Sequence, residues 1–222
     1  MLFDLRSRGR RRTVQVIYLF LAIVMVAGLV LVGVGTGGSG GLLNAFTNSG
    51  SGNSSNNTAA IRDAVKQTKE QPDSPQAWSN LVTVRWEAAQ QGSNYDSATG
   101  AYTNSGKEQL ALVLVAYSRY TALTNNPSIE ATRVAAQANV ILERWSEAAA
   151  TWQTVASTQP SVNAFSCVAL TSYAAKQTRL GGLASAKAIA LTPKLERLEL
   201  KQELEAAAKS HTSAAAYAAQ SC

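Results

Sequence analysis

The sequence predicts an all-α protein: one N-terminal transmembrane helix, a flexible linker, and a solenoid of about three helix pairs closed by a C-terminal capping helix. Three observations predict it. Alanine is abundant while aromatic residues make up only 7% of the chain, which favours helices over sheets. Residues 14–34 form an apolar run of 21 positions without a charge. Pro127, Pro160 and Pro193 stand 33 residues apart, twice over, and each follows an apolar helical run. A fixed period of that length marks stacked helix–turn–helix units, because one helix pair cannot bury its apolar face alone and neighbours must supply the rest of the core. The competing architecture is an ordinary helical bundle whose prolines share a spacing by coincidence.

The chain opens with a basic tail over 1–13, in which Arg6, Arg8, Arg10, Arg11 and Arg12 outweigh Asp4. The net charge of +6 therefore comes mainly from this tail, and nothing elsewhere suggests a nucleic-acid surface. At helical rise, residues 14–34 span about 31 Å, the thickness of a bilayer's hydrocarbon core. Positive flanks stay in the cytoplasm, so the arginines place the C-terminal region on the other side of the cell membrane. A cleaved signal peptide is the rival reading. It is disfavoured by the length of the apolar run and by the Gly35–Gly41 stretch that follows, a poor cleavage site. Residues 35–58, rich in Gly, Ser and Asn, read as a flexible tether with a reach of roughly 25–30 Å.

The folded region is expected over 59–210. Ala59–Gln71 reads as a helix with Ile61, Val65 and Thr68 on one side. Asp73 or Ser74 can cap a second helix that starts at Pro75 and carries Trp78 and Leu81. Residues 92–106, a cluster of Gly, Ser, Asn and Thr holding Tyr95 and Tyr102, read as a loop inserted between two helices of one repeat, either a tolerated insertion or part of a binding face. Lys107–Thr124 resumes as helix with Leu110, Leu114, Tyr117 and Leu123 inward. Ile129–Leu142 follows, with Val134, Ala138 and Ile141 in a stripe.

Arg144–Gln159 puts Ala148, Trp152 and Val155 on one face and stops before Pro160. Val162–Gln177 aligns Phe165, Ala169 and Tyr173. Gly181–Gly182 reads as a turn before a short helix over Leu183–Leu191, which holds Ala188 and ends at Pro193. A capping helix is expected over Lys194–Ser210 with Leu195, Leu198 and Leu204 as its apolar side, and the Ala/Ser tail 211–222 either frays or extends it.

Trp78 and Leu81, then Ala148, Trp152, Val155 and Pro160, then Tyr173, Ala188 and Pro193, with Pro127 closing the first unit, resemble the signature of a tetratricopeptide-repeat (TPR) domain over about residues 72–205. Departures are Ala135, Ala136 and Asn139 in repeat two and Gly182 and Ser185 in repeat three. The layout is similar to small bacterial membrane-anchored TPR proteins of the cell envelope. The resemblance implies a groove lined by the first helix of each pair, which receives an extended peptide or a partner helix. Gln76, Ser79, Thr83, Trp86, Arg133 and Gln137 are the positions it would use. An exposed Trp or Arg in a groove is a strong anchor; Trp86 reads rather as a core contact with the next helix, and the alternative for Arg133 and Gln137 is an ordinary solvated face.

No catalytic constellation, phosphate loop, metal-ligand cluster or cofactor motif is present in the sequence. His211, the one histidine, reads as solvated. Cys167 and Cys222 lack CxxC spacing. Cys167 lies on an apolar helical run and reads as a small buried hydrophobe, and a bond to Cys222 is the alternative that an oxidising compartment would allow. The expected function is thus a non-enzymatic scaffold or adaptor. Its partners are the bilayer through 14–34 and a protein engaged in secretion, envelope assembly or chaperoning. The alternative is a structural subunit of a membrane complex, held through the small residues Ala27, Gly28, Gly33 and Gly35 of the transmembrane helix.

Overall fold

The computed structural model describes residues 53–222, with side chains from Asn57 onward. The basic tail with Arg6, Arg8, Arg10, Arg11 and Arg12, the predicted span 14–34, and the linker as far as residue 52 lie outside the described residues. No described helix is long and apolar enough to cross a membrane.

The order is α1 (Asn53–Glu70), α2 (Pro75–Ala89), a 3₁₀ turn (Gly92–Asn94), a two-stranded hairpin of β1 (Tyr95–Asp96) and β2 (Ala101–Tyr102), and α3 (Asn104–Leu123). Then follow α4 (Ile129–Ile141), α5 (Trp145–Thr158), α6 (Val162–Ala174), α7 (Thr178–Leu191), α8 (Arg197–Lys209) and α9 (His211–Ser221). Hydroxyl caps set five of the starts. The side-chain oxygens of Ser74, Thr103, Ser128, Ser161 and Ser210 accept from the N–H groups of Ala77, Gly106, Ala131, Ala164 and Ser213. Each satisfies one amide that the first helical turn leaves without a partner. Trp78 fixes the α1–α2 corner by donating its indole N–H to the Pro72 carbonyl at 2.7 Å.

The 33-residue period is visible in backbone geometry. The α4–α5 turn places Glu143 at φ 56° and the α6–α7 turn places Lys176 at φ 62°, one period apart. In the first turn Arg144 N–H reaches the Asn139 carbonyl at 2.8 Å, and in the second Gln177 N–H reaches the Ser172 carbonyl at 2.8 Å. Both are the six-to-one bond of a helix terminated by a left-handed residue. Ser128 and Ser161, which cap α4 and α6, stand at the same offset.

Neighbouring helices pack in pairs, α2 on α3, α4 on α5 and α6 on α7, with α1 against α2 and α8 and α9 both against α6. α4 is shared between two cores. Its Ala131 and Ala138 join Leu81, Val82, Leu110, Val113, Ala116 and Tyr120, whereas its Ala136 and Val140 join Trp152, Val155, Cys167 and Leu170. A helix with a face in each core is what couples one repeat to the next.

The large side chain of a pair moves between helices. In repeat two Trp152 on α5 fills the space between the helices and faces the smaller Val140 and Ala148. In repeat three the equivalent positions hold Tyr173, Gly181 and Ser185, so the ring comes from α6 instead. The Tyr173 and Ser185 hydroxyls share a hydrogen bond of 3.1 Å, and a Cβ on Gly181 would stand 2.5 Å from the Tyr173 ring. This corrects the expected Gly181–Gly182 turn. Both glycines lie inside α7, and Gly181 is small because the ring of Tyr173 occupies its side-chain space.

Other expectations also shift. α1 begins at Asn53, six residues before the expected start. The inward set of α3 is Leu110, Val113, Ala116 and Tyr120, while Leu114 and Tyr117 are half-buried. Leu204 is buried in α8, but Leu195 and Leu198 are 98% and 67% exposed, because the cap packs through Leu204 and Ala207. Cys167 and Cys222 form a disulfide, and the tail folds as α9 against α6. Closing that 55-residue separation stabilises the fold by about 4 kcal/mol in the chain-entropy view.

Gly181→Ala should cost about 1–3 kcal/mol in denaturant unfolding through overpacking against Tyr173. In a Tyr173→Val background the same change should become neutral or stabilising, by up to about 1 kcal/mol of helix propensity. Lys176→Gly should stabilise by about 0.5–1 kcal/mol, because glycine adopts a left-handed backbone without a Cβ clash.

Candidate interaction face

The first helices of the three pairs, α2, α4 and α6, carry the predicted site. On α2, Gln76, Ser79, Thr83 and Trp86 follow at steps of three, four and three, which sets them on one stripe. On α4, Arg133 and Gln137 stand four apart, and their equivalents one period later on α6 are Ser166 and Leu170. α2 packs against α4, so the two predicted sets occupy neighbouring helices.

Gln76 and Thr83 are exposed, and Ser79, Arg133 and Gln137 are half-buried. Thr83 turns its hydroxyl back to the Ser79 carbonyl at 3.3 Å. The Arg133 guanidinium donates to Gln159 Oε1 at 2.7 Å, which draws it to the end of α5. Trp86 is half-buried and packs against the repeat-one core. Among the described residues no hydrogen bond joins the α2 set to the α4 set. On α6 the stripe is closed: Ser166 and Leu170 are both buried.

α9 runs antiparallel along α6. At one end Cys222 is bonded to Cys167, and the Asn163 side-chain amide donates to the Ser221 carbonyl at 3.3 Å. At the other end His211 and Ala215 line the same cleft as Ala174, near the end of α6. Ala214 and Ala218 are fully buried, four residues apart. Small side chains at that spacing let two helices approach closely.

The segment 92–106, expected as an inserted loop, folds as the 3₁₀ turn, the hairpin and the first residues of α3, held by short-range bonds. The Asp96 carboxylate accepts from Ala98 N–H at 2.9 Å and from the Thr99 hydroxyl at 2.8 Å, which tightens the hairpin turn. These bonds hold the Asp96 carboxyl below the usual carboxylate range, the Thr99 hydroxyl first. Gly100 takes φ +69°. Tyr95 and Tyr102 meet edge to face at 5.0 Å, and burial, with Tyr95 alongside, pushes the Tyr102 phenol up. The base is tied by Asn94 Nδ2 to the Ala88 carbonyl at 2.8 Å and by the Thr103 hydroxyl to the Ser93 carbonyl at 2.8 Å. Gly106, in the first turn of α3, lies directly against the Asn94 carbonyl, leaving no room for a Cβ.

An open cleft of about 620 Å³ lies between this hairpin and α9, with the α4–α5 turn between them. Tyr102 and Lys107 line one side, Ile141 and Glu143 the turn, and His211 and Ala215 the other. Charge of both signs over a lining that is part polar and part apolar suits a polypeptide segment, whose backbone is polar and whose side chains are mixed. No group of three or more His, Cys, Asp or Glu is arranged to hold a metal ion among the described residues. Sequence reasoning did not find the cleft. Its two walls are the insertion and the tail, and only the tyrosine pair of the insertion signalled order there.

No family model, no curated protein and no solved structure matches the chain.

Gly106→Ala should dislodge residues 92–103, because the Asn94 carbonyl must move before α3 can carry a side chain there. Limited proteolysis should then cut within the hairpin at least about tenfold faster, while the helices stay protected.

Proposed function

We propose that this chain is a membrane-anchored, extracytoplasmic scaffold of the tetratricopeptide-repeat kind, whose first-helix face receives a protein or peptide partner. The observation that carries the reading is the contrast between equivalent positions. Gln76, Thr83, Arg133 and Gln137 are polar and at least partly open on α2 and α4, whereas Ser166 and Leu170 on α6 are covered. A short helix of the chain itself, α9, packs on α6, and this supports the face as a surface for helical or extended ligands.

Further support comes from the repeated left-handed turn at Glu143 and Lys176, which fits stacked helix pairs. The disulfide fits an oxidising compartment, in line with a C-terminal region carried across the membrane by residues 14–34 and oriented by the arginines before them. The reading assigns no catalytic role, no cofactor and no nucleic-acid partner. Secretion, envelope assembly and chaperoning of exported chains are the settings in which such a scaffold would act.

A photo-crosslinking residue placed at Thr83 or Gln137 should capture the same partner in membranes, and one placed at Lys187 on α7 should not. Capture independent of position would remove the groove reading. Loss of capture when 14–34 is replaced by an unrelated apolar helix would favour the rival, a subunit held through Ala27, Gly28, Gly33 and Gly35.

A further inference from the structure

Only Ser210 separates α8 from α9. Its extended backbone (φ −146°, ψ 116°) turns the chain, and its side chain caps the new helix. On both sides the sequence consists largely of strong helix formers, Glu205-Ala-Ala-Ala-Lys209 before it and Ala214-Ala-Ala-Tyr-Ala-Ala219 soon after. A straight helix running through Ser210 is therefore an accessible alternative, at the loss of one cap. Beyond α8, the contacts of α9 fall on α6 and on α4. The bonds that fix its register, Cys167–Cys222 and Asn163 to Ser221, are both to α6. A second copy of the chain presents the same α6 with the same partners.

We propose that α9 is an exchangeable arm: with the disulfide open, Ser210 straightens and α9 docks on α6 of a second copy, so that Cys222 of each chain bonds to Cys167 of the other. The product is a closed two-fold dimer in which each copy supplies the residue that the other's site lacks. A one-residue hinge between two well-formed helices favours such exchange, since the swapped and unswapped forms differ mainly at the hinge. Leu170 and Cys167, both fully buried under the fold, are covered in either form. The exchange needs no partner bound at the α2 and α4 face.

The disulfide acts as the latch. While it is closed α9 cannot leave, so exchange occurs before the bond first forms or after a dithiol opens it. Thiolate attack on Cys222 Sγ, which belongs to the half-buried partner, releases Cys167 as thiolate. The second thiol of the reductant then closes on the first to give a cyclic disulfide, and both cysteines end as thiols. A small-molecule disulfide reverses this by accepting the two electrons, and leaves as two thiols.

The test uses the full chain without substitution. Chains labelled with heavy nitrogen and unlabelled chains are mixed, reduced with a dithiol, reoxidised with a small disulfide and digested. The cystine-linked peptides that contain Cys167 and Cys222 are then weighed. Exchange predicts pairs with one heavy and one light half, rising towards half of all pairs, against none in chains mixed while oxidised. Same-label pairs alone in both samples would overturn the proposal. A second measurement mixes Cys167→Ser chains with Cys222→Ser chains, which can link only between molecules. A Cys167–Cys222 link should form in excess of the Cys222–Cys222 link that Cys167→Ser chains give alone. Equal yields would mean coupling by collision, and would also overturn it.

Discussion

The enclosure of α6 is the constraint on which the folded region depends. Every residue from Ser166 to Ala174 is buried, because α5, α7, α8 and α9 all pack on this one helix. A helix surrounded in this way has no face left for charge, and its sequence from Val162 to Ala174 contains none. Crowding also explains its composition. Serine, alanine, cysteine and threonine let four neighbours approach. Of its two rings Phe165 is half-buried, and the buried one, Tyr173, is accommodated only because α7 yields at Gly181 and Ser185.

The helical architecture was legible in the sequence because its signals are local. Caps and proline stops each act within a turn or two, and the 33-residue spacing at which they recur is repeated by the backbone at Ser128 and Ser161 and again at Glu143 and Lys176. The aromatic of each pair was harder to read. Trp152 matches the expected small–aromatic–medium order on the second helix, whereas in repeat three the ring had moved to the first helix, a trade between elements that no single-helix pattern reveals. In repeat one the same order is present as Ala116, Tyr120 and Leu123. It was masked because Pro127 follows Ala116 by eleven residues, against the twelve that separate Ala148 from Pro160.

Of the candidate face, the stripes on α2 and α4 could be read from helical spacing, and the structure sets their residues on adjoining helices. What fills the face over α6 could not be read that way. An Ala/Ser tail carries almost no amphipathic signal, and its position is set by one covalent bond and one amide contact to residues more than fifty positions earlier. The insertion likewise depends on the contact of Gly106 with Asn94, which exists only once α3 has docked. The exposure of Leu195 and Leu198 was equally illegible: apolar spacing suggested an inward face, but Leu195 lies before α8 begins, and α8 packs through Leu204 and Ala207.

The disulfide also determines how the protein would carry tension. The bond between Cys167 and Cys222 makes a covalent ring that contains most of α6, all of α7 and α8, and α9. A force applied between the N-terminal end of the folded region and its C-terminus passes from Cys167 directly to Cys222, so α7, α8 and α9 bear none of it. Stretching would extend α1 to α5 and the start of α6, and the fully extended chain would be shorter by about 190 Å than the same chain with the bond open. The folded region is thus divided into a longer extensible part that includes the open face and a shorter part that no pull on its ends can unravel.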